Sequence, residues 1–389
     1  MYSQKIVSPR QSADCIAKLA KHVTIPQEGV EKASELYLKN AQDKRFTLSG
    51  WWKSHELNPK DQTSPSTLDW VFLADTLNFS FWAEKGKPYE ITFEGKTYTG
   101  YWSLCAAMNR AIKIVLKDIC SGMPKLGNFY FNFGFECDSH EFQDQSLISK
   151  CRQCFHHYKE GYNITSPTFY ADVSLETLKH IFRSDSGREI PLLNERHQVL
   201  QETGKCLIEK FDSSFATCVT MAKNSAQSLL KIVLENFSSY RDEATIEGQH
   251  VTFYKRAQIL IADIWLCFES KGYGAFDDID TLTIFADYRV PQALAYLGAL
   301  KYSEEFEMKL KSDELLPNGD RYEVEIRGCS IKACELICQY IKQKQKEGTV
   351  PQTVPVNSIL VDNFLWEYRR NNAKEMEHIP FHKTRCIYY

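Results

Sequence analysis

Residues 215–237 read FATCVTMAKNSAQSLLKIVLENF, and this stretch sets the fold class. Phe215, Cys218, Val219, Ala222, Ala226, Leu229, Leu230, Val233, Leu234 and Phe237 recur three and four residues apart, which lays a long apolar stripe along helical structure. A half-buried strand would alternate at every second residue, and this run does not. The same period returns downstream. It predicts helices over 254–268, 291–300, 303–311, 322–346 and 357–371. Asp320 with Glu323 fits a capping box for the fourth of these, and Gly348 and Pro351 close it.

Upstream the pattern is mixed. Residues 10–40 read as two helices punctuated by Ser12 and Ile25-Pro26. Residues 78–82 look strand-like, and 89–93 and 96–101 alternate around a Glu94-Gly95 turn, as a hairpin does. Residues 102–116 return to helical spacing. Residues 117–163 are rich in Gly, Asn and Phe with poor periodicity and read as an inserted loop. Order resumes at 168–173, and Ser174 caps a helix to about Phe182. The expected fold is mainly α with a small antiparallel β-sheet near the N-terminal side. No flexible linker divides it. We expect one compact domain over 1–389, with a β-containing front at about 1–116, the insert at about 118–163 and a helical back at about 168–389.

Composition narrows the function. A formal charge of −3 argues against a surface for polymeric nucleic acid, though not against a single nucleotide. No apolar run reaches 18 residues, and the first residues lack a signal-peptide core, so no membrane is expected. Thirteen Cys without a framework spacing read as reduced thiols of the cytosol or nucleus.

The sharpest candidate for chemistry is Phe285-Ala286-Asp287-Tyr288-Arg289-Val290-Pro291-Gln292. Pro291 suits the first helical position, which puts Asp287 just before a helix N-terminus, where the dipole favours its ionised form. An ionised carboxylate between aromatic rings can face a developing cation, and it can equally be an ordinary cap. Lys255 and Arg256 open the 254–268 helix, either as a phosphate site or as a solvated helix start. Asp362 and Glu367, about 140° apart on a helix, and Asn363, four residues before Glu367, interrupt an apolar run and read as a cleft rim or a wet face. His55 follows two Trp and is a packed His or a ligand contact. In the insert, Cys151 and Cys154 with Cys137, His140, His156 or His157 give a weak zinc spacing, and no metal is expected. No phosphate loop, Ser nucleophile elbow or dinucleotide fingerprint is present, and no cofactor is expected.

Several blocks in this order resemble the queuosine 5′-phosphate N-glycosylase/hydrolase family. They are residues 52–59 (WKSHELNP), 75–82 (DTLNFSFW), 100–107 (GYWSLCAA), 253–258 (FYKRAQ), 285–292, 323–328 (EVEIRG) and 380–382 (PFH). The resemblance implies hydrolysis of queuosine 5′-monophosphate to queuine and ribose 5-phosphate, in the queuine salvage that serves tRNA modification. It implies a fold similar to the helix-hairpin-helix DNA glycosylases, with a small nucleotide and not DNA as substrate. It casts Asp287 as the catalytic carboxylate and Lys255 as its partner near the phosphate. Phe285 becomes a base contact, Asp362 and Glu367 the acids that read the modified base, and His55 and Asn363 further substrate contacts. Asn363 and Glu367 depart from the family pattern, which has an aromatic and an Asp there. Queuine is a 7-deazaguanine, so catalysis is expected to lean on stabilising the ribose cation. The rivals are a non-catalytic queuine- or nucleotide-binding protein and a true DNA glycosylase. The latter lacks support from the acidic balance and from any Gly-rich hairpin.

Overall fold

The computed structural model describes residues 7–41, 48–83, 88–121 and 162–389. Helices dominate, and the sheets among these residues are two-stranded and antiparallel. No helix among them is long and apolar enough to cross a membrane. The stretch 215–237 is helical, but as two helices, Phe215–Met221 and Ala226–Asn236. Lys223 and Asn224 take positive φ (50° and 60°), and Ser225 then caps the second helix by accepting from the Ser228 N–H. All ten apolar positions of the stripe are still buried. The period therefore marked the core face although the axis breaks.

The Glu90–Phe93 and Lys96–Thr99 strands pair as expected, and Glu94 and Gly95 both have positive φ, the conformation that matches strand twist in a two-residue turn. Residues 78–82 are not a strand. The carbonyls of Leu77 and Phe79 accept from the buried Arg196 guanidinium, and Thr76 O from that of Arg256. The Phe79 ring lies against both cations at 4.2 and 5.0 Å. Arg385 takes the carbonyls of Ser80 and Trp82, so guanidiniums satisfy the backbone that a neighbouring strand would otherwise pair, and Ser80 has positive φ (56°). β-structure is also not confined to the N-terminal side. Glu243–Ile246 pairs with Gln249–Thr252, and Val23–Thr24 with Lys301–Tyr302.

The first helix, Pro9–Leu19, is capped by Ser8. Ser12 is instead buried within it and accepts the Thr252 N–H at 2.9 Å, tying that helix to the second hairpin. The helix expected over 102–116 runs Tyr101–Ser121. At the Arg321–Lys346 helix, Asp320 caps Tyr322 N, while Glu323 reaches Gly319 N (3.0 Å) and not the cap residue's own N–H. Residues 122–161 lie outside the described residues, and with them the zinc candidates Cys137, His140, Cys151, Cys154, His156 and His157.

Two apolar clusters form the core. One gathers Trp70, Phe72 and Leu260, and the other Ile16, Leu294 and Ile331. The Ser358–Asn371 helix joins them, with Ile359 and Leu360 in the first, Val361, Phe364 and Leu365 in the second, and Trp366 against both. The chain crosses the same seam at 285–286, because Phe285 packs in the first cluster and Ala286 in the second. The Val290–Leu297 helix that follows is approached closely by the Gln27–Asn40 helix. A Cβ on Gly29 would sit 2.0 Å from the Gly298 carbonyl, so only glycine fits there.

Candidate active site

A cavity of about 610 Å³ opens at this seam. Its walls come from the Lys255–Cys267 and Ser358–Asn371 helices, the 285–289 loop, residues 78–83 and the start of the Tyr101–Ser121 helix.

Asp287 lies at the cavity wall, ahead of the Val290–Leu297 helix. Arg289 is the N-cap residue and Pro291 the second helical residue, one position later than the sequence suggested. Asp287 Oδ1 accepts from the N–H groups of Arg289 (2.8 Å) and Val290 (2.9 Å), so it does cap the helix. These donors and the Lys255 charge draw its pKa down. Burial outweighs them, and the carboxyl ends above the usual Asp range. The helix end favours the anion as expected, but burial outweighs it. Asp287 keeps part of its surface open, but to the cavity.

Lys255 opens its helix from Tyr254, which adopts a left-handed conformation (φ 50°). Its backbone N–H donates to Asp242 Oδ2 at 3.1 Å. The reading of the Lys255-Arg256 pair as a solvated helix start does not hold, because both side chains are buried. Arg256 is spent on backbone carbonyls. Lys255 reaches the cavity, where Asp287, Asp75 and Asp362 oppose the lowering of its pKa by burial.

A buried network fixes both residues. Arg327 Nε donates to Ala286 O (2.9 Å), next to Asp287. Its other nitrogens hold Asp242 (2.5 and 3.0 Å) and Glu323 (3.0 Å). Tyr389 donates to the same Glu323 oxygen at 2.9 Å and lines the cavity. One guanidinium thereby sets the Asp287 loop and, through Asp242, the Lys255 helix end.

Asp362 and Asn363 come from the Ser358–Asn371 helix and line the cavity. Asp362 Oδ2 accepts the Phe285 N–H at 2.9 Å. Burial and the neighbouring Asp287 push its carboxyl well above the usual range, which favours the neutral acid. Asn363 Nδ2 is buried with no hydrogen-bond partner among the described residues, a donor left for a ligand. Asp263 also lines the cavity and was missed in the sequence. Its signal was present, since Lys255, Ile259 and Asp263 are spaced four apart on one helix face, and an acid interrupts an apolar run. Burial and Asp75 raise its pKa strongly too. Asp75 lies behind this wall, bonded through Oδ1 to Asn78 (3.2 Å), with Oδ2 unpartnered and its pKa raised to about 7 by burial.

The aromatic share of the wall includes Phe285, Trp102 and Trp366, the two indoles meeting edge-on at 6.4 Å. His55 is not part of the lining. It stacks on Trp102 with ring centroids 3.2 Å apart, and burial and the Arg370 charge lower its pKa to about 4. Glu367 is also outside the lining, and its charge acts on Arg370 at the rim. Of the seven candidates, Lys255, Phe285, Asp287, Asp362 and Asn363 converge, while His55 and Glu367 stand outside. No cluster of three or more His, Cys, Asp or Glu suited to a metal ion occurs among the described residues.

A family model described as queuosine salvage protein matches residues 57–121 and 136–389. A protein of Bos taurus is 44% identical over 385 residues, covering 99% of both chains. One of Mus musculus is 45% identical over 384 residues, covering 98% of this chain and 99% of its own. One of Nematostella vectensis is 40% identical over 395 residues and covers both chains fully. Each carries the name queuosine 5′-phosphate N-glycosylase/hydrolase.

Proposed function

From the premise that the chain belongs to the queuosine salvage protein family, we infer that it hydrolyses the N-glycosyl bond of queuosine 5′-monophosphate, yielding queuine and ribose 5-phosphate. The observation that carries this reading is the convergence of Asp287, Lys255 and Asp362 in one aromatic-walled cavity. Breaking an N-ribosidic bond builds positive charge on the sugar, and a preorganised carboxylate in a water-poor site stabilises it strongly. Asp287 fits that role, because its Oδ1 is pinned by two backbone N–H groups while the residue still faces the cavity. Its oxygen can also take the proton of the attacking water. Lys255 keeps Asp287 more ionised than burial alone would allow.

Asp362 and Asp263, whose neutral forms burial favours, can donate hydrogen bonds to the departing 7-deazaguanine ring or pair with its cationic side arm. Phe285, Trp102 and Trp366 supply faces for that ring, and Asn363 Nδ2 supplies a free donor. His55 acts at one remove, by backing Trp102. The mainly helical architecture fits a helix-hairpin-helix DNA glycosylase type put to use on a free nucleotide. The formal charge of −3 supports that choice over a polymer. The reduced-thiol composition supports action in the cytosol or nucleus, as one domain without cofactor.

The test is to incubate the protein with queuosine 5′-monophosphate and follow free queuine and ribose 5-phosphate. Asp287→Asn is expected to abolish turnover while product still binds. Near-normal turnover in that variant removes Asp287 from the chemistry, and tight binding by the native protein without ribose 5-phosphate release makes it a binding protein.

A further inference from the structure

The cavity has a second pole that the acid-rich floor does not explain. Arg289, Arg369 and Arg370 all line it. Gln292 is buried, and its amide nitrogen donates to Ile379 O (2.5 Å) and Met376 O (3.4 Å). That fixes its Oε1, which accepts from Arg289 Nη1 and from Arg369 Nε, each at 3.0 Å. One neutral oxygen therefore draws two guanidiniums together. No carboxylate lies within ion-pair distance of Arg289 or Arg369 among the described residues, and their remaining N–H groups have no partner there. Arg289 lies over the rings of Phe381 (4.3 Å) and Tyr288 (5.1 Å), and Arg370 over Trp366 (4.7 Å), so aromatic faces hold the planes in place. The three charges oppose one another. Burial and Arg289 lower the pKa of Arg369 to about 10. Lys383, the other cation nearby, is already paired with Asp313.

Converging, partly buried guanidiniums without counter-ions cost free energy unless an anion sits between them, and their forks match the oxygens of a phosphate. Lys255 has more acidic surroundings, with Asp287, Asp75 and Asp362 about it, and of these Asp287 also acts on Arg289 and Arg369. A dianionic phosphate placed there would face three acids.

We propose that Arg289 and Arg369, aligned by Gln292 and flanked by Arg370, seat the 5′-phosphate of the substrate, and that Lys255 serves the carboxylates and not the phosphate. The assignment rests on the nucleotide-hydrolase reading above. It gives Glu367 the task of balancing Arg370 at the rim, in place of reading the base.

The test compares kcat/KM for queuosine 5′-monophosphate and for the unphosphorylated nucleoside in the native protein, Arg289→Met, Arg369→Met, Arg369→Lys and Lys255→Met. Binding of ribose 5-phosphate and of inorganic phosphate is measured calorimetrically on the same proteins. In the arginine-to-methionine variants the nucleotide-to-nucleoside ratio is expected to fall roughly 10- to 100-fold, with the loss of one or two charge-assisted hydrogen bonds. Arg369→Lys, which keeps the charge but not the fork, falls in between. Lys255→Met depresses both substrates alike. Both phosphate probes are expected to bind the native protein and Lys255→Met, and to weaken in the arginine variants. An unchanged ratio with unchanged ribose 5-phosphate binding in correctly folded arginine variants overturns the proposal, as does loss of phosphate binding in Lys255→Met alone. If neither substrate is hydrolysed but phosphate binding still depends on the arginines, the seat stands and the hydrolase reading falls.

Discussion

At the scale of single residues, Asp287 is where burial and local charge compete, and the balance can be read in a pH profile. Two backbone N–H groups and Lys255 favour its anion, and burial favours the acid more strongly. If the anion is the working form, the acid limb of kcat/KM lies above the ordinary carboxylate range. Lys255→Met removes a cation that lowers the Asp287 pKa, so the limb must move to higher pH, beyond any uniform loss of rate. A limb that stays put in Lys255→Met would separate the two residues electrostatically and defeat the assignment. Five of the seven residues singled out in the sequence line the cavity, because each sits where a helix or loop presents it there. His55 and Glu367 lie outside that lining, because their orientation is set by partners remote in the chain or by the helix face turned to the rim. Asp263 was overlooked although its spacing from Lys255 announced it.

At the scale of elements, helical period was the dependable signal and boundaries were the weak one. The stripe at 215–237 predicted burial correctly, but nothing in its apolar spacing revealed that Lys223 and Asn224 would turn the axis. The strand reading of 78–82 failed because Arg196 takes the Phe79 carbonyl and Arg385 those of Ser80 and Trp82, and those cations arrive from over a hundred residues downstream. The hairpin at 243–252 turns at Glu247-Gly248, a turn signal of the kind recognised at Glu94-Gly95. Its work is done by Asp242, just before it, which joins the Lys255 helix to Arg327. Replacing Arg327 with Met leaves Asp242 and Glu323 buried without their cation. Such a change costs about 3–5 kcal/mol. Denaturant unfolding checks the value, and adding Asp242→Asn and Glu323→Gln is expected to restore part of the loss. No recovery would mean that Arg327 stabilises by packing on Phe253 and Tyr389, 4.0 and 4.1 Å from its guanidinium, and not by charge.

At the scale of the whole molecule, the two apolar clusters meet at a cavity lined both by buried acids and by arginines. The floor gathers Asp287, Asp362 and Asp263 with Asp75 behind them, against Lys255 alone, and the rim gathers three arginines. A nucleotide with a cationic side arm on its base and a phosphate on its sugar has the matching polarity. The floor acids hold protons more tightly than they would in an unfolded chain. For Asp75, raised from 3.8 to about 7, the folded state binds more protons than the unfolded state between those values. Its contribution to stability is therefore full at low pH and is lost as pH rises toward 7, and Asp75→Asn should flatten that slope in a series of melting curves. A bound cation has the converse effect. An ammonium beside these acids favours their anions and lowers their pKa values, so binding the cationic base must release protons. The release is measurable as the dependence of queuine binding heat on buffer ionisation enthalpy near pH 7. It should shrink in Asp263→Asn, which keeps the hydrogen-bonding shape but has no proton to lose. Proton uptake on binding, or a release indifferent to Asp263, would place the side arm elsewhere in the cavity. Because ribose 5-phosphate carries no cation, its binding to the arginine pole provides the control, with no proton released from the floor.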